Sequence, residues 1–315
     1  MTNWTRDFMR AMSERDHDVE LVHLRGRARL AALRPNVPWQ VRRARPDAVQ
    51  YVPYSGLTRA SLVRLRSLTS LVPEAVKSIA VLQASGDVEK APIGCMADIA
   101  LFSSDRLRRR HEAIARTGVV VPPVVDSERF RPAVTARAEI RSSLGLDAER
   151  PMVLHVGHLA PSRGLDALAT LAGAGDWAVV MVASTSTPAD PEIQASLRDA
   201  GVEIVRRYVP EIERYYQAAD VYVFPVQKEY GSVEIPLSVL EAMACGTPVV
   251  STRFGGLPEL FEEGPGLAYA GPGELADAVQ RAIAHGGDGV PQRVAGLTHT
   301  GLADAVDEGW RASLR

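Results

Sequence analysis

The chain has 315 residues, 46% hydrophobic and 23% charged, which is enough to bury two cores of ordinary domain size and too apolar for a disordered chain. Its formal net charge of −2 hides an asymmetry: residues 1–150 carry 25 Arg and Lys against 17 Asp and Glu, net +8, while residues 151–315 carry 11 against 21, net −10. No apolar run is long enough to span a bilayer and Met1 to Arg6 does not open a signal peptide, so a cytoplasmic protein is expected, and the basic half suits an anionic acceptor or peripheral contact with the inner membrane face.

Two cysteines, Cys95 and Cys245, are far apart in unlike contexts, so reduced thiols are expected rather than a disulfide framework. Cys, His and carboxylates show no metal-ligand spacing, and neither a metal nor another cofactor is expected. The cations are 33 Arg and 3 Lys without interleaved aromatics, so nucleic acid is not an expected partner. The oligomeric state is not written in the sequence.

Trp4 to Arg15 has apolar residues at helical spacing, and Asp18 to Leu24 alternates like a strand. Ala48 to Val52 reads as a strand, followed by a loop with Pro53, Tyr54, Ser55 and Gly56 and then an Arg-rich helix. Loops beyond the carboxyl ends of such strands hold ligands in open α/β sheets, which makes Tyr54 and Ser55 either acceptor contacts or an ordinary turn. Ala97 to Asp105 predicts a strand and an N-cap, with a helix over Arg106–Ala115. A crossing segment, Val119 to Pro132, puts a domain boundary just after Pro132.

The second half opens with a helix over Arg137–Leu144 and a buried strand, Met152 to His158, that runs into a glycine turn at Gly157. Pro161-Ser162-Arg163-Gly164 precedes an apolar helix from Leu165 to Leu171. Further strands are predicted at Trp177–Ala183, Val202–Val205 and Asp220–Pro225, with a helix at Ile212–Ala219 whose Tyr215 and Tyr216 suit a core. The alternation of strand and helix calls for a parallel, doubly wound sheet.

The most informative stretch is Glu229 to Glu259, EYGSVEIPLSVLEAMACGTPVVSTRFGGLPE. Gly231 and Ser232 lie in a loop, Pro236 opens a helix, and Gly246 stands where a left-handed C-cap is wanted. Backbone N–H groups at the start of such a helix, with Ser232, make a site for an anionic oxygen. Glu241 lies one and a half turns in among Leu240, Ala242 and Met243, either as a solvated helix residue or as a carboxylate met by hydroxyls or a cation. A helix over Glu274–Ala284, a Gly286–Gly289 turn and a last helix over Leu302–Leu314 follow.

LEAMACGTPVVSTRFGGLPEL resembles the signature of the family 4 retaining glycosyltransferases. The resemblance implies an α/β, GT-B fold: two Rossmann-like domains with mostly parallel sheets facing across a cleft, residues 1–133 for the acceptor and 134–296 for a nucleotide-sugar donor, with 297–315 crossing back to the first domain. The family begins with a strand and a glycine-rich loop that this sequence does not show, so it either starts late or has a reduced amino-terminal domain. By resemblance Glu241 takes the ribose hydroxyls of the donor. The partner carboxylate of the family falls at Val233, and Glu234, one place late, is a shifted catalytic substitute or a helix-start anion favoured by the dipole. Gly157 and Gly164 match the two glycines of the diphosphate grip. His158 and Arg163 stand where the family has an arginine and a lysine, and Arg163 keeps a phosphate-binding charge. Tyr208 and Val209 would lie near the base, and Ser232 and Val233 near the diphosphate and sugar. The function implied is retaining, metal-independent transfer of a sugar from a nucleotide-sugar to an acceptor, with Arg163 and Glu234 catalytic. The alternative is a catalytically degenerate sugar-nucleotide-binding homologue that acts as a partner subunit.

Overall fold

The computed structural model describes residues 3–22, 36–53, 56–84 and 88–313. The chain divides into two compact units, one of residues 1–124, 233–235 and 297–315 and the other of residues 125–232 and 236–296. Of the crossing read from the sequence, Val119 to Pro132, residues 119–124 group with the first unit and 125–132 with the second, where Phe130 meets Tyr216 edge to face at 6.0 Å and Gln217 Nε2 donates to Arg131 O at 2.8 Å.

In the first unit the strands β1 (Ala48–Tyr51), β2 (Val76–Val81), β3 (Ala97–Phe102) and β4 (Ala115–Val120) form a parallel sheet in that order. Both faces of β3 are covered, which is why ADIALF is a continuous apolar run. Ile99 and Leu101 join Phe8 and Met12 of α1 (Asn3–Ser13) and Leu302 and Val306 of α12 (His299–Ser313). Ala100 and Phe102 join Leu62 and Leu65 of α3 (Arg59–Leu68) and Leu107 of α4 (Asp105–Arg110). The helix α2 (Asn36–Ala44) precedes β1.

Two expectations for this unit are corrected. Residues 18–22 of the predicted strand Asp18–Leu24 form none: Val19 packs on the α1 and α12 cluster, and no described strand pairs with the segment. Residues 23 and 24 lie outside the described residues. The helix predicted over 106–115 stops at Arg110, where His111 caps it and its Nδ1 meets Val88 O at 2.8 Å; Ala115–Val120, with β-branched Thr117, Val119 and Val120, continues the sheet as β4.

The second unit holds β5 (Met152–Gly157), β6 (Ala178–Ala183), β7 (Glu203–Val205), β8 (Val221–Phe224), β9 (Val249–Ser251) and β10 (Leu267–Tyr269). All pair in parallel, in the order β10-β9-β8-β5-β6-β7. Around them in chain order lie α5 (Arg137–Leu144), α6 (Asp166–Ala172), α7 (Pro191–Asp199), α8 (Glu213–Ala218), α9 (Leu237–Ala244), α10 (Leu257–Leu260) and α11 (Leu275–His285). The chain winds outward from β5 through β6 to β7, then returns to β8 on the other side and winds the opposite way. The carboxyl ends of β5 and β8 therefore flank the point where the winding reverses, the place where open α/β sheets leave a crevice for ligands.

Candidate functional site

At that reversal point β5 ends at Gly157, followed by His158, and β8 at Phe224, followed by Pro225. After β5 a 3-10 turn, Pro161–Arg163, closes on Gly164 in the left-handed region at φ 66°. A methyl group at Gly164 would sit 2.6 Å from Pro225 O, and one at Gly231 would sit 2.4 Å from Ser162 O. Both glycines are thus required by backbone packing: the Arg163 turn and the loop after β8 touch where a side chain would separate them.

That packing delivers Arg163. Its side chain is partly buried and makes no hydrogen bond or ion pair among the described residues, and no described carboxylate lies within 4 Å of it. Burial pulls its pKa below the usual arginine range, the direction expected of a cation withdrawn from water. Structural arginines of the same unit are paired: Arg141 is held by Asp220, Ala218 O and Arg150 O, and Arg129 by Glu213 and Pro210 O. A desolvated guanidinium with no protein anion is suited to an anion from outside.

His158 stands next to it, with Nδ1 2.8 Å from Thr187 Oγ1 in the loop after β6. Burial, and then the charge of Arg163, hold its pKa below the ordinary histidine value, so the ring is neutral at neutral pH. Beneath them His155 is fully buried, with Nδ1 2.9 Å from Val223 O and Nε2 without a partner; its pKa is pulled down to about 4, chiefly by burial. Gly157 leaves room for this ring, since a methyl group there would lie 2.6 Å from Nε2.

The same unit holds α9. Its N-cap, Pro236, makes no side-chain cap, and Val239 N donates to Pro236 O at 3.1 Å, so among the described residues the N–H groups of Leu237 and Ser238 are left for a ligand or solvent. Glu241 is half-buried and its Oε2 accepts from Tyr216 Oη at 2.8 Å; Ser238 Oγ accepts from Tyr222 Oη at 2.8 Å. Gly246 adopts φ 78°, the left-handed cap read from the sequence. Ser232 is buried at the end of the 3-10 turn Glu229–Gly231.

The structure thus gathers Gly157, His158, Arg163, Ser232 and Glu241 in one unit. Tyr208 is 80% exposed and Val209 half-buried, beyond the end of β7. Residues 233–235 group with the first unit, where Glu234 is 1% exposed and Val233 40%. Glu234 Oε1 accepts from Arg106 Nε at 2.9 Å and Ser104 Oγ at 3.0 Å, and its Oε2 from an Arg106 terminal nitrogen at 2.9 Å. Tyr54 and Ser55 lie outside the described residues. Among the described residues, no group of three or more His, Cys, Asp and Glu side chains is arranged to hold a metal ion.

Sequence reasoning missed Thr187, Ser238, Tyr222 and the second role of Tyr216. The spacing of Ser238 and Glu241, three apart on one helix, was the available signal. A cavity of about 390 Å³ also opens at the ends of β8, β9 and β10, lined by Val226, Thr252, Arg253, Phe254, Tyr269 and Glu274 among others. It contains none of the predicted site residues, and the unpaired cation outweighs it as a mark of chemistry.

Residues 150–285 match the family model described as glycosyl transferases group 1. This segment of the chain belongs to that family. The group 1 segment carries Gly157, His158, Arg163 and Glu241 alike. Among curated relatives, D-inositol 3-phosphate glycosyltransferase of Saccharomonospora viridis is 37% identical, with 51% of this chain and 40% of that protein covered. GDP-mannose-dependent alpha-(1-6)-phosphatidylinositol monomannoside mannosyltransferase of Mycolicibacterium smegmatis is 31% identical, with 70% and 60% covered. The chain thus spans roughly half the length of the curated relatives it matches. In fold it is similar to sucrose-phosphate synthase of Thermosynechococcus elongatus, at a TM-score of 0.74 and 18% identity over 99% of this chain and 92% of that one. It is also similar to Anabaena HepE, solved in complex with UDP-glucose, at a TM-score of 0.71 and 18% identity over 96% and 88%. The two parallel-sheet units are those of the GT-B fold.

Proposed function

We propose that the chain is a retaining glycosyltransferase that moves a sugar from a nucleotide-sugar donor to an acceptor. The observation that carries this reading is Arg163, a partly buried guanidinium with no anion among the described residues, set at the winding reversal of a group 1 sheet. Cleavage of the glycosidic bond to a nucleoside diphosphate leaves negative charge on the diphosphate oxygens. Arg163 and the uncapped N–H groups of α9 would receive that charge, and preorganised donors of this kind stabilise a transition state because they need no reorientation. Glu241 would take the ribose hydroxyls. With Arg163 supplying the counter-charge, turnover is expected to need no metal and to survive a chelator.

Glu234 is not given the catalytic part in this reading, because both its oxygens are engaged by Arg106 and Ser104. It would instead hold the 233–235 segment in place. The relatives are named for transfer to inositol phosphate and phosphatidylinositol mannoside, and a phosphorylated polyol or lipid-borne acceptor is the corresponding proposal here. Exposed Trp39, with the Arg42 guanidinium 5.3 Å above its ring, offers one point of peripheral membrane contact on the basic half.

The test is to screen the purified chain against UDP-, GDP-, ADP- and dTDP-sugars for thermal stabilisation and then for release of the nucleoside diphosphate with chelator present. Stabilisation by one donor together with its slow hydrolysis or transfer is expected. Binding without turnover over a broad acceptor panel would favour the degenerate binding homologue. No stabilisation by any donor would overturn the reading.

A further inference from the structure

Ser238 and Glu241 share one face of α9, and each is met by a tyrosine hydroxyl from the core: Tyr222 Oη donates to Ser238 and Tyr216 Oη to Glu241, both at 2.8 Å. Both tyrosines are fully buried, and their rings meet edge to face at 5.7 Å. Tyr216 is braced further by Phe130 at 6.0 Å. Its ring has no room to turn, so its hydroxyl is fixed in space by packing. Burial and then the Glu241 charge raise the pKa of Tyr216 well above the tyrosine range, so the proton stays on the phenol. The hydroxyl therefore donates, and the carboxylate oxygen accepts.

A glutamate on a helix surface samples several rotamers, and ordering it on ligand binding costs entropy. Glu241 meets that cost in the folded protein, because a buried donor holds its Oε2. We propose that Tyr216 is a positioning residue of the donor site: it fixes the Glu241 carboxylate before the donor arrives, so that the ribose hydroxyls meet an acceptor already in place. This rests on the donor reading given above. It adds a residue from α8, outside the sequence signature, whose contribution passes entirely through Glu241.

Tyr216→Phe is the informative variant, since it keeps the ring and both aromatic contacts and removes only the hydroxyl. Titration calorimetry with UDP, GDP and ADP and with their 2′-deoxy counterparts supplies the readout. Tyr216→Phe should weaken the preferred ribonucleotide roughly tenfold, the scale of one hydrogen bond to a charged group. It should weaken the 2′-deoxy form much less, and its penalty should vanish in a Glu241→Ala background. Equal weakening of the ribose and deoxyribose forms, or a penalty that persists undiminished in Glu241→Ala, would overturn the proposal and leave Tyr216 as packing alone. A different outcome marks failure of the donor reading itself: Glu241→Ala binding every nucleotide as the parent does, with ribose preference intact, would remove this proposal along with that reading.

Discussion

Arg163 and Arg106 show how one residue type takes opposite parts. Arg106 meets a carboxylate 1% exposed and makes a two-point pair with it, whereas Arg163 is desolvated and finds no acceptor among the described residues. Removing Arg106 would strand a buried charge, while removing Arg163 strands nothing. Arg163→Leu is therefore expected to leave the melting temperature unchanged or higher, because a costly desolvated cation is replaced by a shorter apolar side chain. The same change should lower turnover by ~10²–10³, the usual loss on deleting one preorganised donor to a developing anion. Arg163→Lys keeps the charge without the fork and should fall between the two. Melting scans and donor-hydrolysis rates on the three proteins check this, and an Arg163→Leu enzyme with parent turnover would dismiss Arg163 from the chemistry.

The elements that place Arg163 depend on two glycines rather than on side-chain contacts. Alanine at Gly164 would have to hold φ 66° and place its Cβ 2.6 Å from Pro225 O, so the turn must shift. We expect Gly164→Ala to destabilise the protein by about 1–3 kcal/mol and to weaken donor binding beyond that, since the guanidinium moves with its turn. Gly145→Ala, at φ 74° with nothing within 4 Å of the added Cβ, is the control: it carries the backbone strain without the clash and should leave donor affinity alone. Calorimetric affinities that fall equally in both variants would refute the argument from close approach. These glycines were legible in the sequence because a turn residue between strand and helix announces itself locally, as did the helix read from Pro236, which is its N-cap rather than its first residue, and the cap at Gly246. The strand β2 was not, since a nearly continuous buried run shows no alternation to read, and β4, although its burial alternates, carries Arg116 and Gly118, residues that do not mark a strand. Tyr216 and Tyr222 were invisible as site residues for a related reason: their rings obey the rules for core, and only tertiary packing shows where their hydroxyls end. The seat of Glu234 was illegible for the opposite reason, because sequence proximity to the signature said nothing about the grouping of residues 233–235 with the first unit, beside Arg106.

At the scale of the whole molecule each unit buries a histidine whose pKa is lowered chiefly by burial, His111 in the first and His155 in the second. The second is built over a titratable group: His155, fully buried, stacked against Tyr222 at 6.2 Å and donating through Nδ1 to Val223 O. Its folded pKa is pulled down to about 4, chiefly by burial, against an ordinary 6.5 in the unfolded chain. Above pH 6.5 the ring is neutral in both states and the stabilising contribution is complete. As the pH falls from 6.5 toward 4, the unfolded chain takes up a proton that the folded unit refuses, so stability is lost through that window by up to ~3 kcal/mol and levels off below it. His155→Asn keeps a donor for Val223 O and cannot titrate, so its stability should depend less steeply on pH between 4 and 6.5 whatever its absolute value. Trp177 is the one tryptophan of the four that lies in the second unit, buried with Nε1 on Leu171 O at 2.8 Å. Fluorine labelling of the tryptophans therefore follows that unit separately in urea titrations at stepped pH. Parallel pH slopes for parent and His155→Asn at the Trp177 resonance would show that His155 does not govern the acid lability of the donor unit.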